Sequence, residues 1–211
     1  MTSLQDAYEA RRKQMLLPLA GHLETYLKSV FDGCKRIDRI SVRAKSVERF
    51  IAKAEKETGG KRKYDDPLTQ IQDQLGARIV TFYKSDVDKL TAEVAKYFRH
   101  IESVQIVPDS ESEFGYEGRH FILFIPRDIF DDEIKEDESI TFFELQIKTL
   151  FQHAWSEAEH DLGYKPTTVL SRDQKKRLAF TAAQAWGADQ IFDELYKQLG
   201  SNDIKLESGA H

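Results

Sequence analysis

Cysteine is all but missing from this chain of 211 residues, where Cys34 stands alone. A single thiol excludes an internal disulfide and any zinc site built on several thiolates. Long apolar runs are missing too. The longest, Phe121 to Ile125, has the length of a strand and falls far short of the roughly 20 residues that span a bilayer. The opening residues, MTSLQDAYEARRK, lack the basic-then-apolar plan of a secretory leader. Neither an internal repeat nor a low-complexity tract is present. These absences point to a cytoplasmic protein with no membrane partner. Disorder is excluded by what is there: 40% hydrophobic residues, with 13 Phe, 8 Tyr and 2 Trp, are enough for a core.

Charge is plentiful but unevenly placed. The net formal charge of −5 excludes a uniformly basic nucleic-acid binder. Residues 35–63 nevertheless carry eleven basic side chains against four acidic ones, a net +7, whereas residues 102–144 carry thirteen acidic against three basic, a net −10. A basic block of this kind either binds phosphates or forms a solvated helix face.

Apolar spacing predicts the elements. Leu16, Leu19, Leu23, Leu27 and Val30 give residues 4–31 a helical stripe that Gly33 terminates. RIDRISVR alternates as a half-buried strand over 36–43, 46–57 reads as a helix, and TGGKRKYDDP as a loop. A short helix at 67–74 follows Asp66-Pro67, then a strand at 77–83 and a helix at 86–98. Strands at 101–107 and 119–125 flank a glycine-containing loop. A strand at 140–148 runs into a helix at 149–162 that Thr149 can cap, and a last helix covers about 172–199. Strands joined by short links argue for an α+β fold: a mixed, largely antiparallel five-stranded sheet flanked by helices. The chain divides into an N-terminal helical segment (1–35), a central domain (36–166), a C-terminal helix (167–200) and a flexible tail (201–211).

Five segments carry chemistry. In ITFFELQIKT, a period of two puts Phe143, Leu145 and Ile147 on one face and Glu144, Gln146 and Lys148 on the other. Phe142 shares the polar face, which argues against a plain solvent surface. In IQDQLGARIV, Asp73 precedes a strand that Arg78 enters; an aspartate there is either a turn residue or, paired with Glu144, a magnesium ligand. In FGYEGRHF, glycines bracket Tyr116 ahead of His120, a packed hairpin or a stacking platform. In TLFQHAWSEAEHDLGYK, His153, Glu157 and His160 share a helix face, a polar network far more often than a metal site; Trp155 and Leu162 read as core. In VRAKSVERFIAK, Arg43 and Lys45 face one side of a strand end with Lys53 beyond, a cluster able to neutralise a triphosphate.

In this order and spacing, the segments across about 36–166 resemble the synthetase domain of the RelA/SpoT family, the alarmone synthetases. FELQIKTLFQHAWSEAEHDLGYK is very similar to the family's helix-entry signature. The resemblance implies a nucleotidyltransferase-related fold and a Mg2+-dependent pyrophosphokinase that moves the β,γ-pyrophosphate of ATP to the 3′-hydroxyl of GDP or GTP, making (p)ppGpp. By position it implies Arg43, Lys45, Lys53 and Arg78 as ATP-binding residues and Asp73 and Glu144 as metal ligands, with Glu144 as general base. It implies Tyr116, His120, Gln146 and Lys148 on the acceptor side.

Departures keep other readings open. DSESEFGY is acidic where the family has a basic approach to the tyrosine, and Lys148 stands for the usual arginine. A toxin-type relative acting on the tRNA 3′ end or on adenosine nucleotides, and a catalytically silent sensing domain, are the alternatives. No segment of this sequence resembles the family's metal-binding hydrolase domain, so regulation is expected to fall to a separate hydrolase or an antitoxin. The last helix, with Leu178, Trp186, Phe192, Leu195 and Leu199, either packs internally or joins subunits into an oligomer.

Overall fold

The computed structural model describes residues 3–106, 118–131, 134, 139–163 and 170–207. The N-terminal stripe forms helices α1 (Leu4–Arg11) and α2 (Leu17–Val30), joined without a break by a π-helical stretch, Arg12–Leu16. The single regular helix expected over 4–31 is interrupted because Pro18 stands at the start of α2. Its ring crowds the carbonyl four residues back and it donates no hydrogen bond, so the preceding turn widens. Ser3 caps α1 by accepting the Asp6 N–H at 3.1 Å.

Strands β1 (Ile37–Ala44), β2 (Glu57–Thr58), β3 (Lys61–Arg62) and β4 (Leu75–Thr81) lead into β5 (His100–Ile106), β6 (Gly118–Phe124) and β7 (Phe142–Thr149). β2 and β3 are a hairpin in the stretch read as a loop, starting one residue earlier at Glu57 of the predicted 46–57 helix, and Gly59 and Gly60, at φ 61° and 76°, make its two-residue turn. Between strands lie α3 (Val47–Ala54), α4 (Pro67–Gln70) and α5 (Lys84–Tyr97); α6 (Leu150–Gly163) and α7 (Arg172–Glu207) follow the last strand. The helix expected over 67–74 is two short turns, the second a 3-10 turn at Gln72–Gln74 in which Asp73 leaves helical geometry (φ −91°, ψ 31°).

Five strands form one sheet in the order β1-β4-β7-β6-β5. β4 and β7 run parallel and the other three pairings are antiparallel, the mixed α+β sheet expected from the sequence. One face is the core. Leu75, Ala77 and Ile79 of β4, Phe143, Leu145 and Ile147 of β7, and Phe121 and Leu123 of β6 meet Leu19, Leu23 and Leu27 of α2 and Val87, Leu90 and Val94 of α5. A second cluster, with Tyr8 stacked on Phe50 at 3.7 Å, seats α1 against α3.

α7 runs on to Glu207, so the tail expected to be flexible from 201 begins as helix. Gly200 alone costs a helix only about 1 kcal/mol, and no proline follows it. α7 docks through Asp189, which accepts the Thr149 hydroxyl at 2.7 Å, and through Asp193, which accepts the Ser85 N–H at 2.9 Å. Tyr196 stacks on Tyr83 at 4.4 Å and lies under the Arg36 guanidinium. Its other side leaves Phe180, Ile191 and Leu199 exposed. Leu162, expected in the core, is exposed, and Trp155 is only half-buried. Both line an apolar groove between α6 and α7. Among the described residues no helix is long and apolar enough to cross a membrane.

Candidate active site

Alternation fills the second face of the sheet with polar side chains, and register aligns them in rows. Arg43 of β1 lies opposite Gly76 of β4, which lies opposite Glu144 of β7. The next row runs Ser41, Arg78, Gln146 and His120 across β1, β4, β7 and β6. At the centre of the first row Gly76 has no side chain, and a Cβ there would meet nothing within 4 Å. A cavity of about 440 Å3 opens over these rows, its lining including Arg43, Lys45, Glu48, Arg49, Asp73, Gly76, Arg78, Glu144 and Gln146. Asp73 and Glu144, distant in the chain, thus face one cavity.

The site's electrostatics follow from crowding of like charges beside two carboxylates. Asp73 Oδ2 receives Lys45 Nζ at 2.8 Å and Lys53 Nζ at 2.9 Å. Burial alone would push its carboxyl up, but the two ammonium groups hold it below the usual range. Tyr8 of α1 steadies this corner by donating to the Lys45 carbonyl at 3.0 Å. Glu144 is bracketed by His120 Nδ1 at 3.0 Å on one oxygen and Gln146 Nε2 at 3.0 Å on the other. Against burial, the His120 bond and charge, helped by Gln146, keep Glu144 ionised. Arg43 is driven the opposite way: burial first, then the neighbouring Arg78 and Arg49 guanidiniums, lower its pKa. A cavity that strains its own cations in this way is relieved by a polyanion.

Further along β7, Lys148 is 3% exposed and burial, reinforced by Arg78, pushes its pKa down to about 7. Its Nζ donates to Ser156 Oγ of α6 at 3.1 Å. Arg78 reaches the same helix, with Nη1 2.5 Å from Glu157 Oε1 and 3.1 Å from His153 Nδ1. The helix face that reads as a candidate metal site is therefore engaged by a guanidinium. Phe142, on the polar face, is sheltered edge-on against Phe124 at 5.2 Å.

Of the residues singled out in the sequence, Arg43, Lys45, Asp73, Arg78, Glu144 and Gln146 line the cavity, Lys53 joins through Asp73 and His120 through Glu144. Tyr116 lies outside the described residues. Arg49 and Ser156 were not foreseen; Ser156 sits three residues from His153, one helical turn along, which is the signal that would have found it.

A divalent ion fits this donor set. Asp73 Oδ1 is buried with no hydrogen-bond partner, as is Gln146 Oε1. Among the described residues no group of three or more His, Cys, Asp or Glu side chains is arranged for a metal. Magnesium does not require one, since it is commonly held by one or two carboxylates with phosphate oxygens and water completing the shell.

Comparison with known proteins places these features. A family model for the region found in RelA/SpoT proteins matches residues 42–168. GTP pyrophosphokinase YjbM of Bacillus subtilis (strain 168) is 26% identical over 169 residues, covering 78% of this chain and 74% of its own length. A GTP pyrophosphokinase family protein from Streptococcus pneumoniae superposes with a TM-score of 0.75 at 21% identity, over 95% of this chain and 97% of that one. Small alarmone synthetase 1 from Bacillus subtilis, bound to its product pppGpp, superposes with a TM-score of 0.72 at 19% identity, over 90% and 99%. The fold of the small alarmone synthetases is this chain's fold.

Proposed function

The chain belongs to the RelA/SpoT family, and from that premise we propose that it is a pyrophosphokinase, transferring the β,γ-pyrophosphate of ATP to the 3′-hydroxyl of GDP or GTP. One observation carries the reading: Asp73 and Glu144 face a single cavity with Arg43, Lys45 and Arg78. A relative, YjbM of Bacillus subtilis, is named a GTP pyrophosphokinase, which supports the acceptor class.

The chemistry asks little covalent work of the protein. The acceptor hydroxyl attacks the β-phosphorus of ATP, the bond to the α-phosphate oxygen breaks, and AMP leaves. Glu144, ionised and fixed by His120 and Gln146, takes the hydroxyl proton. Arg43, Lys45, Lys53 and Arg78 bind the triphosphate and hold it in line. Asp73, with Glu144, would hold Mg2+, which supplies neutralisation of the triphosphate charge when bound. His120, Gln146 and the buried Lys148 line the acceptor side, with Tyr116 as the platform for its base.

A second reading keeps the same chemistry on a tRNA 3′ end. It is favoured by the basic hairpin, where Lys56, Lys61 and Arg62 are exposed just beyond α3. Incubation with Mg2+, γ-labelled ATP and, in turn, GDP, GTP, AMP, ATP or deacylated tRNA separates the two. Label in a guanosine product supports the first reading, and label in tRNA alone replaces it with the second. Label in no acceptor refutes both.

A further inference from the structure

Two cations assigned to opposite ends of the reaction, Arg78 and Lys148, are both tied to one face of α6. Arg78 Nη1 lies 2.5 Å from Glu157 Oε1 and 3.1 Å from His153 Nδ1. Lys148 Nζ donates to Ser156 Oγ at 3.1 Å, and that hydroxyl donates to the His153 carbonyl at 3.0 Å. Residues 153, 156 and 157 fall at i, i+3 and i+4, one face of the helix. Their bonds cross from α6 to β4 and to β7, strands that are parallel neighbours.

The chemistry of each contact indicates what it does. Guanidinium only donates, so His153 must offer an unprotonated Nδ1 toward Arg78. Burial, and then the Arg78 charge, lower the His153 pKa and keep that nitrogen available. Glu157 is half exposed, with 50% of its side chain accessible, while Arg78 is 16% accessible. With one partner half in solvent, such a pair adds little to folding. It does fix where a long, rotamer-rich side chain points before any ligand arrives. Ser156 likewise fixes a buried ammonium at the far end of the same polar face.

We propose that His153, Ser156 and Glu157 are positioning residues, through which α6 presets Arg78 for the donor nucleotide and Lys148 for the acceptor. The inference rests on the pyrophosphokinase reading for the two substrates it names. It assigns to the His153/Glu157 face a role distinct from a metal site, and it separates the two ends of the face by substrate.

Steady-state kinetics with both substrates varied, together with calorimetric titration of the non-hydrolysable donor AMPCPP with Mg2+, test it. Glu157→Ala and His153→Ala raise the KM for ATP and the Kd for AMPCPP about tenfold or more, with kcat and the acceptor KM within about twofold. Glu157→Gln and His153→Asn, which keep an acceptor facing the guanidinium, recover most of the loss. Ser156→Ala raises the acceptor KM and spares that for ATP. Wild-type constants in Glu157→Ala and His153→Ala would overturn the inference. So would an equal loss for both substrates in all three alanine variants, because a general structural defect does not sort by substrate. The titration keeps the two levels apart. A wild-type protein that bound AMPCPP yet transferred nothing would end the functional reading, while the Glu157→Ala titration would still decide whether α6 presets the donor site.

Discussion

Glu144 shows how much one carboxylate's surroundings decide. Burial alone would favour its neutral form, yet His120 and Gln146 keep it charged, and a charged carboxylate beside an acceptor hydroxyl is a base. Glu144→Gln preserves shape and removes basicity. Transfer is expected to fall at least about 100-fold, the low end for general-base catalysis, while the melting temperature and circular dichroism stay near wild type. Activity within a few-fold of wild type in a folded variant would remove Glu144 from the mechanism. Lys148 makes the complementary case. With burial pushing its pKa to about 7, the ammonium is charged below that pH and loses its proton above it. The acceptor phosphates proposed to meet it favour the charged form, so acceptor binding is expected to take up a proton and to weaken as pH rises from about 7 to 9. Lys148→Arg, charged throughout this range, is expected to flatten the acceptor KM over the same interval. Superimposable profiles for the two proteins would show that Lys148 does not sense the acceptor.

At the scale of elements, β7 and α6 work as one unit, and their junction is Thr149. Its hydroxyl accepts the Gln152 N–H at 3.1 Å, capping α6, and donates to the buried Asp189 of α7. Thr149→Val keeps the shape and loses both bonds. A destabilisation of about 1–3 kcal/mol is expected, or roughly 2–10 °C in melting temperature. An unchanged thermal midpoint would mean that α7 docks by other contacts. The cap was legible in the sequence because Thr at a strand-to-helix junction has a local physical meaning, and so was the split of β7 into core and polar faces, which needs only a period of two. What escaped were effects of backbone detail and of partners from elsewhere. Pro18 widened a turn in a stretch whose apolar stripe reads as one helix. Asp73 left helical geometry inside a pattern that reads as continuous helix. Leu162 has the spacing of a core residue, but only tertiary structure reveals that nothing among the described residues covers that flank of α6.

Over the whole molecule, an acidic chain gathers four basic side chains, Arg43, Lys45, Arg49 and Arg78, on the wall of one cavity. Segregation of charge along the sequence hinted at this, since the +7 stretch supplies Arg43, Lys45, Arg49 and Lys53. The strand order was less accessible. β4 and β7 are parallel neighbours although two strands lie between them in sequence, and no local pattern encodes that pairing. Yet this pairing sets Gly76 beside Glu144, and Asp73 precedes β4 by one short turn, so topology rather than any motif brings the carboxylates together. Transfer as proposed requires those two side chains to share an ion. Electron paramagnetic resonance of Mn2+, a spin-bearing stand-in for Mg2+, measures this directly in the presence of AMPCPP. Stoichiometric bound Mn2+ is expected in the wild-type protein, with binding lost in Asp73→Asn and weakened at least tenfold in Glu144→Gln. Equal Mn2+ affinity in all three proteins would contradict the account.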